Sequence, residues 1–271
     1  NMSSAIPPSM HTLAADAVDI GYPGRPVIRG LSLDVLQGEF TVIVGPNACG
    51  KSTLLRSLGR MLPPTAGRVL LDGKSIQSYP TKEVARRVGL LPQSPTSPDA
   101  ITVADLVSRG RYPHQKLLRQ WSPADAEAVD RSLREVGMLE HSERMVDELS
   151  GGQRQRVWIA MTLAQETPIV LLDEPTTFLD VVHQIDVLDL CSALHEQGRT
   201  LVAVLHDLNM AARYASHIVM MNNGAIIAQG SAAEVITPEL LAQGFGLDAL
   251  VLPDPENGRP LVVPRDRRRS A

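Results

Sequence analysis

Residues 45–53 read Gly-Pro-Asn-Ala-Cys-Gly-Lys-Ser-Thr, and no other stretch restricts the chain as much. It fits G-x-x-x-x-G-K-[S/T], the pattern of a loop that cradles phosphate. Before it, Phe40–Val44 is a short β-branched run that reads as a buried strand. After it, Lys51–Met61 sets Leu54, Leu55, Leu58 and Met61 at helical spacing. An ordinary glycine-containing turn could match the pattern alone; strand, loop and helix in that order argue for a phosphate site. Glycines let successive N–H groups turn toward one anion, and the helix start adds partial positive charge. In such a loop Lys51 reaches the outer phosphates and the Ser52 hydroxyl ligates Mg²⁺.

At 271 residues the chain accommodates one large α/β domain or a domain with a sizeable insertion. A net charge of −4 offers no basic field for nucleic acid. Cys49 and Cys191 form neither a disulfide framework nor a metal spacing, and Cys49 inside a phosphate loop reads as a free thiol of a reducing compartment. No apolar run nears the length of a membrane span; Ile169–Leu172 and Leu201–Leu205 are typical. The start lacks the basic and apolar regions of a secretory signal, Asn1 before Met2 reads as an added residue, and a cytoplasmic chain is expected.

Leu13–Ile20 and the alternating Leu31–Leu36 read as antiparallel strands around a turn at 22–26. Tyr22 in that turn could stack on a base, although from local sequence alone a packing residue at a strand end is the better reading. Arg68–Leu71 with Asp72-Gly73 reads as a strand and tight turn, Lys82–Val88 as a short helix, and 89–92 as another strand. From about Ser94 to Glu148 strand-like runs vanish. Thr102–Ser108, Ser122–Val136 and Val146–Leu149 read as helical, with Ser122-Pro123 a good start. Within this inserted lobe, 110–115 (Gly-Arg-Tyr-Pro-His-Gln) reads as an exposed loop, either plain or a partner surface.

Leu149-Ser150-Gly151-Gly152-Gln153 opens a helix running through Ala164, with Ser150 as its cap: a second candidate anion site, or simply a solvated helix start. Ile169–Leu172 followed by Asp173 and Glu174 reads as a buried parallel strand with two carboxylates at its C-terminal end. Beside phosphate chemistry, Asp173 suits metal-bound water and Glu174 suits an attacking water. Asp180–Gln197 reads as a long helix ended by Gly198, and Thr200–Leu205 as a buried strand leading to His206, a candidate γ-phosphate sensor. Asn222-Asn223-Gly224 signals a hairpin, Ser231–Glu234 a capping box, Thr237-Pro238 a helix start, and Arg265–Arg269 a solvated basic end.

The ordered set of 45–53, Gln93 after Leu-Leu-Pro, 149–153, 169–174, Leu179-Asp180 and His206 resembles the ATPase subunit of ABC transporters from Leu13 to about Gly230. The resemblance matches the A-loop to Tyr22, then Walker A, the Q-loop (Gln93), signature, Walker B, D-loop and H-loop, and it makes Tyr22 the adenine-stacking aromatic. Residues 110–115, 176–180 with His183-Gln184, 204–209 (Val-Leu-His-Asp-Leu-Asn), 228–230 and 261–264 are similar to iron-chelate importer ATPases of the ferric enterobactin type. Ala48 stands where that family usually has Gly; a positive φ there would carry strain.

The resemblance implies an α/β P-loop NTPase with a RecA-like core, an antiparallel β subdomain and an inserted helical signature subdomain. It implies an ATPase domain over 12–235, its helical part about 94–165, and a C-terminal extension over 236–271 packing on the core, whose tail can be disordered. ATP and Mg²⁺ are the implied ligands. Gly45, Pro46, Asn47, Ala48, Cys49, Gly50, Lys51, Ser52 and Thr53 hold phosphates, while Ser52, Asp173 and Gln93 organise metal and water. Glu174 polarises the water, His206 meets the γ-phosphate, and Asp180 couples two sites. Two copies face head to tail, each ATP closed by Ser150, Gly151, Gly152 and Gln153 of the other. Permease subunits dock on the Tyr112 loop and the region after Gln93, an extracytoplasmic binding protein acts indirectly, and nucleic acid is not a partner. The subunit would lie peripherally on the cytoplasmic face of the cell membrane and power import of iron–siderophore complexes. ATPases for cobalamin, haem or other chelates share every nucleotide motif. A soluble ABC ATPase acting on nucleic acid or ribosomes would carry duplicated domains, coiled coils or basic surfaces, which this chain lacks.

Overall fold

The structure, a computed structural model, describes residues 11–115 and 121–266. Asn1 and Met2, and Arg267–Arg269 of the basic end, lie outside the described residues. The chain begins with β1 (Leu13–Tyr22), β2 (Arg25–Val35) and β3 (Phe40–Val44), then α1 (Lys51–Leu58), β4 (Ala66–Leu71) and β5 (Lys74–Ser75). There follow α2 (Thr81–Ala85), β6 (Val88–Leu91), α3 (Val103–Ser108), α4 (Pro123–Glu135) and α5 (Gly151–Ala164). Next come β7 (Ile169–Asp173), α6 (Val181–Glu196), β8 (Thr200–Val204), α7 (Leu208–Tyr214), β9 (His217–Asn222) and β10 (Ala225–Gly230). The chain closes with α8 (Ala232–Val235), α9 (Pro238–Phe245), β11 (Ala249–Pro253) and β12 (Pro260–Pro264). The α/β class expected from sequence is present, with mixed sheets and helices.

Two compact units divide these elements. One comprises Thr12–Ser75 and the described residues from Val202 onward. Its antiparallel sheet has the order β2-β1-β4-β5. Leu31, Leu33 and Val35 are buried along one face of β2 while Ser32 and Asp34 face out, the period-two pattern of a half-covered strand. β3 is buried at all five positions and pairs in parallel with β9, Val44 against Met220. A run buried on both faces needs apolar residues throughout, which is why Phe-Thr-Val-Ile-Val reads so plainly. β9 and β10 form the hairpin expected at Asn223-Gly224, both with positive φ (47° and 74°) as its tight turn requires.

The other unit, Ile76–Leu201, carries the parallel pair β6 and β7 and the packed helices α3, α4 and α5. Ser122 and Ser150 each cap a helix in a reciprocal box with Asp125 and Gln153.

Three expectations need correction. α1 stops at Leu58, because Gly59 and the left-handed Arg60 (φ 64°) end it, and Met61 is exposed instead of joining the apolar side. The helix expected over Lys82–Val88 ends at Ala85, since Val88 already pairs with Ile169 in the sheet. The loop at 110–115 is not plain and exposed: Arg109–His114 forms a 3₁₀ turn in which Gly110, Arg111 and Pro113 are buried while Arg109 and Tyr112 are exposed.

Candidate functional site

The phosphate loop leaves β3 at Gly45, whose backbone passes so close to its neighbours that a Cβ would lie 2.3 Å from the Met221 carbonyl. Gly50, at φ 105°, turns the chain into α1. Lys51 follows, buried, its Nζ donating to the carbonyls of Gly45 and Pro46 at 2.8 Å each. The ammonium is therefore drawn back over its own loop. Burial pushes the Cys49 thiol up, a shift only partly opposed by Lys51. Ala48 has φ 61°, so a left-handed conformation that glycine adopts without strain is here held by an alanine.

The β9–β10 turn braces this loop. Gly224 donates its N–H to the Cys49 carbonyl at 2.9 Å, and a Cβ on Gly224 would meet the Val27 carbonyl at 2.1 Å. Asn-Asn-Gly announced a hairpin; no local signal announced what the hairpin touches. His206 belongs to the same unit. It follows Leu205, whose N–H donates to the Ile43 carbonyl at 3.2 Å, so the end of β8 emerges beside the strand that feeds the loop. Tyr22 ends β1 opposite Arg25 and lines a 320 Å³ cleft with Asp19, Arg25, Arg29 and Thr65.

In the other unit, strand register does the assembly. Leu91 of β6 pairs with Leu172 of β7, so the second residues beyond them, Gln93 and Glu174, leave the sheet at the same edge. Gln93 Nε2 donates to Glu174 Oε2 at 2.6 Å, and Thr177 Oγ1 donates to the same oxygen at 3.1 Å. Glu174 is buried with φ 53°, a conformation a glutamate keeps only where its surroundings hold it. Asp173, at the last position of β7, is buried as well.

Ser150–Gln153 and Asp180 also share this unit. Ser150 Oγ accepts from Gln153 N at 3.2 Å while Gln153 Oε1 accepts from Ser150 N. Asp180 caps α6 by accepting from His183 N at 2.9 Å, and its carboxylate faces His183 Nδ1 at 2.6 Å. Those contacts hold the Asp180 carboxyl below the usual carboxylate range, the His183 backbone N–H first among them. The His183 ring lies against Gly152, where a Cβ would be 3.0 Å from it, so the first turns of α5 and α6 touch. Gln155 Nε2 donates to the Pro175 carbonyl at 2.9 Å, joining α5 to the segment after Glu174. Thr177 and His183 enter the sequence reading only as part of the importer resemblance, with no contact assigned, and Gln155 is missed because its partner, Pro175, lies 20 residues away.

The donor set suits a polyphosphate: a glycine-turned loop, a helix start and a buried ammonium. Among the described residues no group of three His, Cys, Asp or Glu could hold a metal by itself. No helix among the described residues is long and apolar enough to cross a membrane.

Against known proteins, residues 28–177 match the model of the ABC transporter family. The ferric enterobactin transport ATP-binding protein FepC of Escherichia coli (strain K12) is 53% identical over 96% of this chain and 96% of its own length. A probable siderophore transport system ATP-binding protein, YusV of Bacillus subtilis (strain 168), is 51% identical over 96% and 95%. Among solved structures, an inward-facing metal-chelate type ABC transporter aligns with TM-score 0.81 and 28% identity, covering 95% of this chain and 99% of that one.

Proposed function

The chain belongs to the ABC transporter family as an ATP-binding subunit, an ATPase coupled to transport, and we propose that the cargo it drives inward is a ferric siderophore complex. Half-identity to siderophore subunits over nearly the whole chain supports the cargo. For the chemistry, the hydrogen bond from Gln93 to the buried Glu174 carboxylate is the observation that carries most weight. Glu174 takes a proton from water as its oxygen attacks the γ-phosphorus and the bond to the β–γ bridging oxygen breaks, leaving ADP and phosphate. Gln93 and Thr177 keep the carboxylate aimed. Lys51 and the N–H groups of 45–53 bind the phosphate chain, Tyr22 stacks on adenine, and His206 contacts the γ-phosphate. Mg²⁺, when bound, offsets the phosphate charge; Ser52 is its ligand, with Asp173 and Gln93 acting on its water.

Ser150–Gln153 of one copy closes over the nucleotide held by a second copy, and Asp180 couples the two. The permease meets the groove of about 630 Å³ formed by Asp105, Ser108, Arg109, Tyr112, Gln115 and Trp121. An exposed tyrosine and tryptophan beside an arginine are the residue types that anchor interfaces. Docked there, the subunit lies on the cytoplasmic face of the membrane.

Uptake of radiolabelled iron tests the reading in cells lacking this chain and supplied with wild type or Glu174→Gln. Wild type restores uptake of at least one ferric siderophore, and Glu174→Gln, with turnover lowered on the order of 10²–10⁴-fold, does not. Restored uptake of haem or cobalamin, but of no siderophore, would overturn the cargo.

A further inference from the structure

Two segments of sequence singled out above play no part in the chemistry just described: Asn209, three residues after His206, and the strand 260–264 near the C-terminus. The fold joins them. The Asn209 amide pairs with Val262 of β12 in both directions, its Oδ1 accepting from Val262 N at 2.7 Å and its Nδ2 donating to Val262 O at 3.2 Å. Asn209 thus acts like one more residue of a sheet, docking the first turn of α7 onto the hairpin. At the other end of α7, Arg259 Nη1 donates to the carbonyls of Ala212 and Ala215 at 3.2 and 2.8 Å, satisfying acceptors that a helix end leaves open. The hairpin is itself tied across its turn, with Asp254 N donating to Arg259 O at 2.7 Å.

What these contacts hold is the helix immediately after His206. Asp207 caps α7, its carboxylate accepting from Asn209 N at 2.8 Å and Met210 N at 3.0 Å. Asn209 is therefore bound on one side by the residue next to His206 and on the other by β12. A seven-residue helix is too short to keep its own direction in water; tertiary contacts must supply it. We propose that the C-terminal hairpin, through Asn209 and Arg259, is the positioning element for His206. Asn209 and Arg259 are positioning residues with no contact to nucleotide. This rests on the reading of His206 as the γ-phosphate contact, and it gives 249–264 a share in the ATPase cycle.

The test compares Asn209→Ala, Arg259→Ala and His206→Ala in the full chain. Steady-state ATPase is read alongside the ¹⁵N-histidine NMR spectrum, in which the His206 signal is the one lost in His206→Ala. Asn209→Ala is expected to move or broaden that signal alone and to lower kcat on the order of tenfold with KM for ATP little changed. In the His206→Ala background it is expected to cost nothing further. Asn209→Asp, which keeps the shorter bond to Val262 N, is expected to recover part of the loss, and Arg259→Ala to act in the same sense. An unmoved His206 signal with wild-type kcat in Asn209→Ala and Arg259→Ala would overturn the positioning role. So would losses that multiply fully with His206→Ala. Wild-type turnover in His206→Ala with a displaced signal in Asn209→Ala would instead remove His206 from the chemistry and leave its positioning by the hairpin standing.

Discussion

Two buried cations, one in each unit, are held by opposite means. Lys51 and Arg111 are equally withdrawn from water, each 4% exposed. Lys51 is gripped by two neutral carbonyls of its own loop. Arg111 meets two carboxylates, Asp125 at 2.9 Å and Glu166 at 2.6 Å, and the Ala164 carbonyl at 2.7 Å. Dipoles can orient a charge without cancelling it, so the Lys51 site keeps a full positive charge that a phosphate chain can complete. The Arg111 site is already matched. It ties the 3₁₀ turn bearing Tyr112 to α4 and to the end of α5, and His114 adds a 2.6 Å contact to Gln165 O beside it. Burial alone does not separate a working charge from a structural one; the charge of its surroundings does.

The largest effect expected from this contrast is in Arg111→Leu. Glu166 keeps Arg131 at 3.0 Å, so the cost falls on the buried Asp125 carboxylate, and leaving it without its cation should cost about 3–5 kcal/mol of stability. Both tryptophans, Trp121 and Trp158, lie in the same unit, so urea unfolding followed by their fluorescence reports it. ATP affinity of the folded variant should match wild type; a loss of affinity at unchanged stability would break the contrast. Acid adds a second signature. Burial by itself would raise the Asp125 carboxyl, but hydrogen bonds from Ser122 and Arg111 outweigh it and hold the group below its ordinary range. Its stabilising contribution is therefore present above about pH 4 and lost as pH falls below. In Arg111→Leu, with burial less opposed, that acid slope should flatten or reverse.

Lys51→Ala comes next. Removing one charge-assisted contact worth about 1.5–3 kcal/mol should weaken ATP binding roughly 10- to 150-fold by calorimetry. The urea midpoint of the tryptophan-bearing unit should stay where it was. An unchanged dissociation constant would mean that the dipole-held charge is structural after all.

The smallest effect sharpens the description of the loop itself. Ala48→Gly should raise stability by about 1 kcal/mol, since a left-handed alanine carries strain that glycine does not. Thermal unfolding reads it, and a lowered midpoint would show that the Ala48 methyl contributes more by packing than its backbone loses.

Much of this molecule is written in short windows. The cradle at 45–53, the buried runs of β3 and β7, the capping boxes at Ser122 and Ser150 and the turn at Asn223-Gly224 each depend on residues within about eight positions of one another. A hydrogen-bonded cap or a positive φ is a local demand, and the residue that meets it is visible in place. Even the ending of α1 was local: Gly59 was there to be weighed against the attraction of Met61.

What the chain could not disclose by itself is what its windows touch. Gln93 reaches Glu174 across 81 residues because two parallel strands pair Leu91 with Leu172, and register is a property of the pair. Arg111 reads as an exposed loop arginine until α4 and the end of α5 close around it. In the sequence Asn209 is only the last residue of the 204–209 resemblance, until β12 arrives from 53 residues away. From residues alone came the phosphate chemistry and the elements that carry it. Which charge stays available, which carboxylate is aimed, and which helix is held were decided only when distant backbone groups found one another, because such pairings are selected by packing the whole sheet and leave no mark in any single stretch.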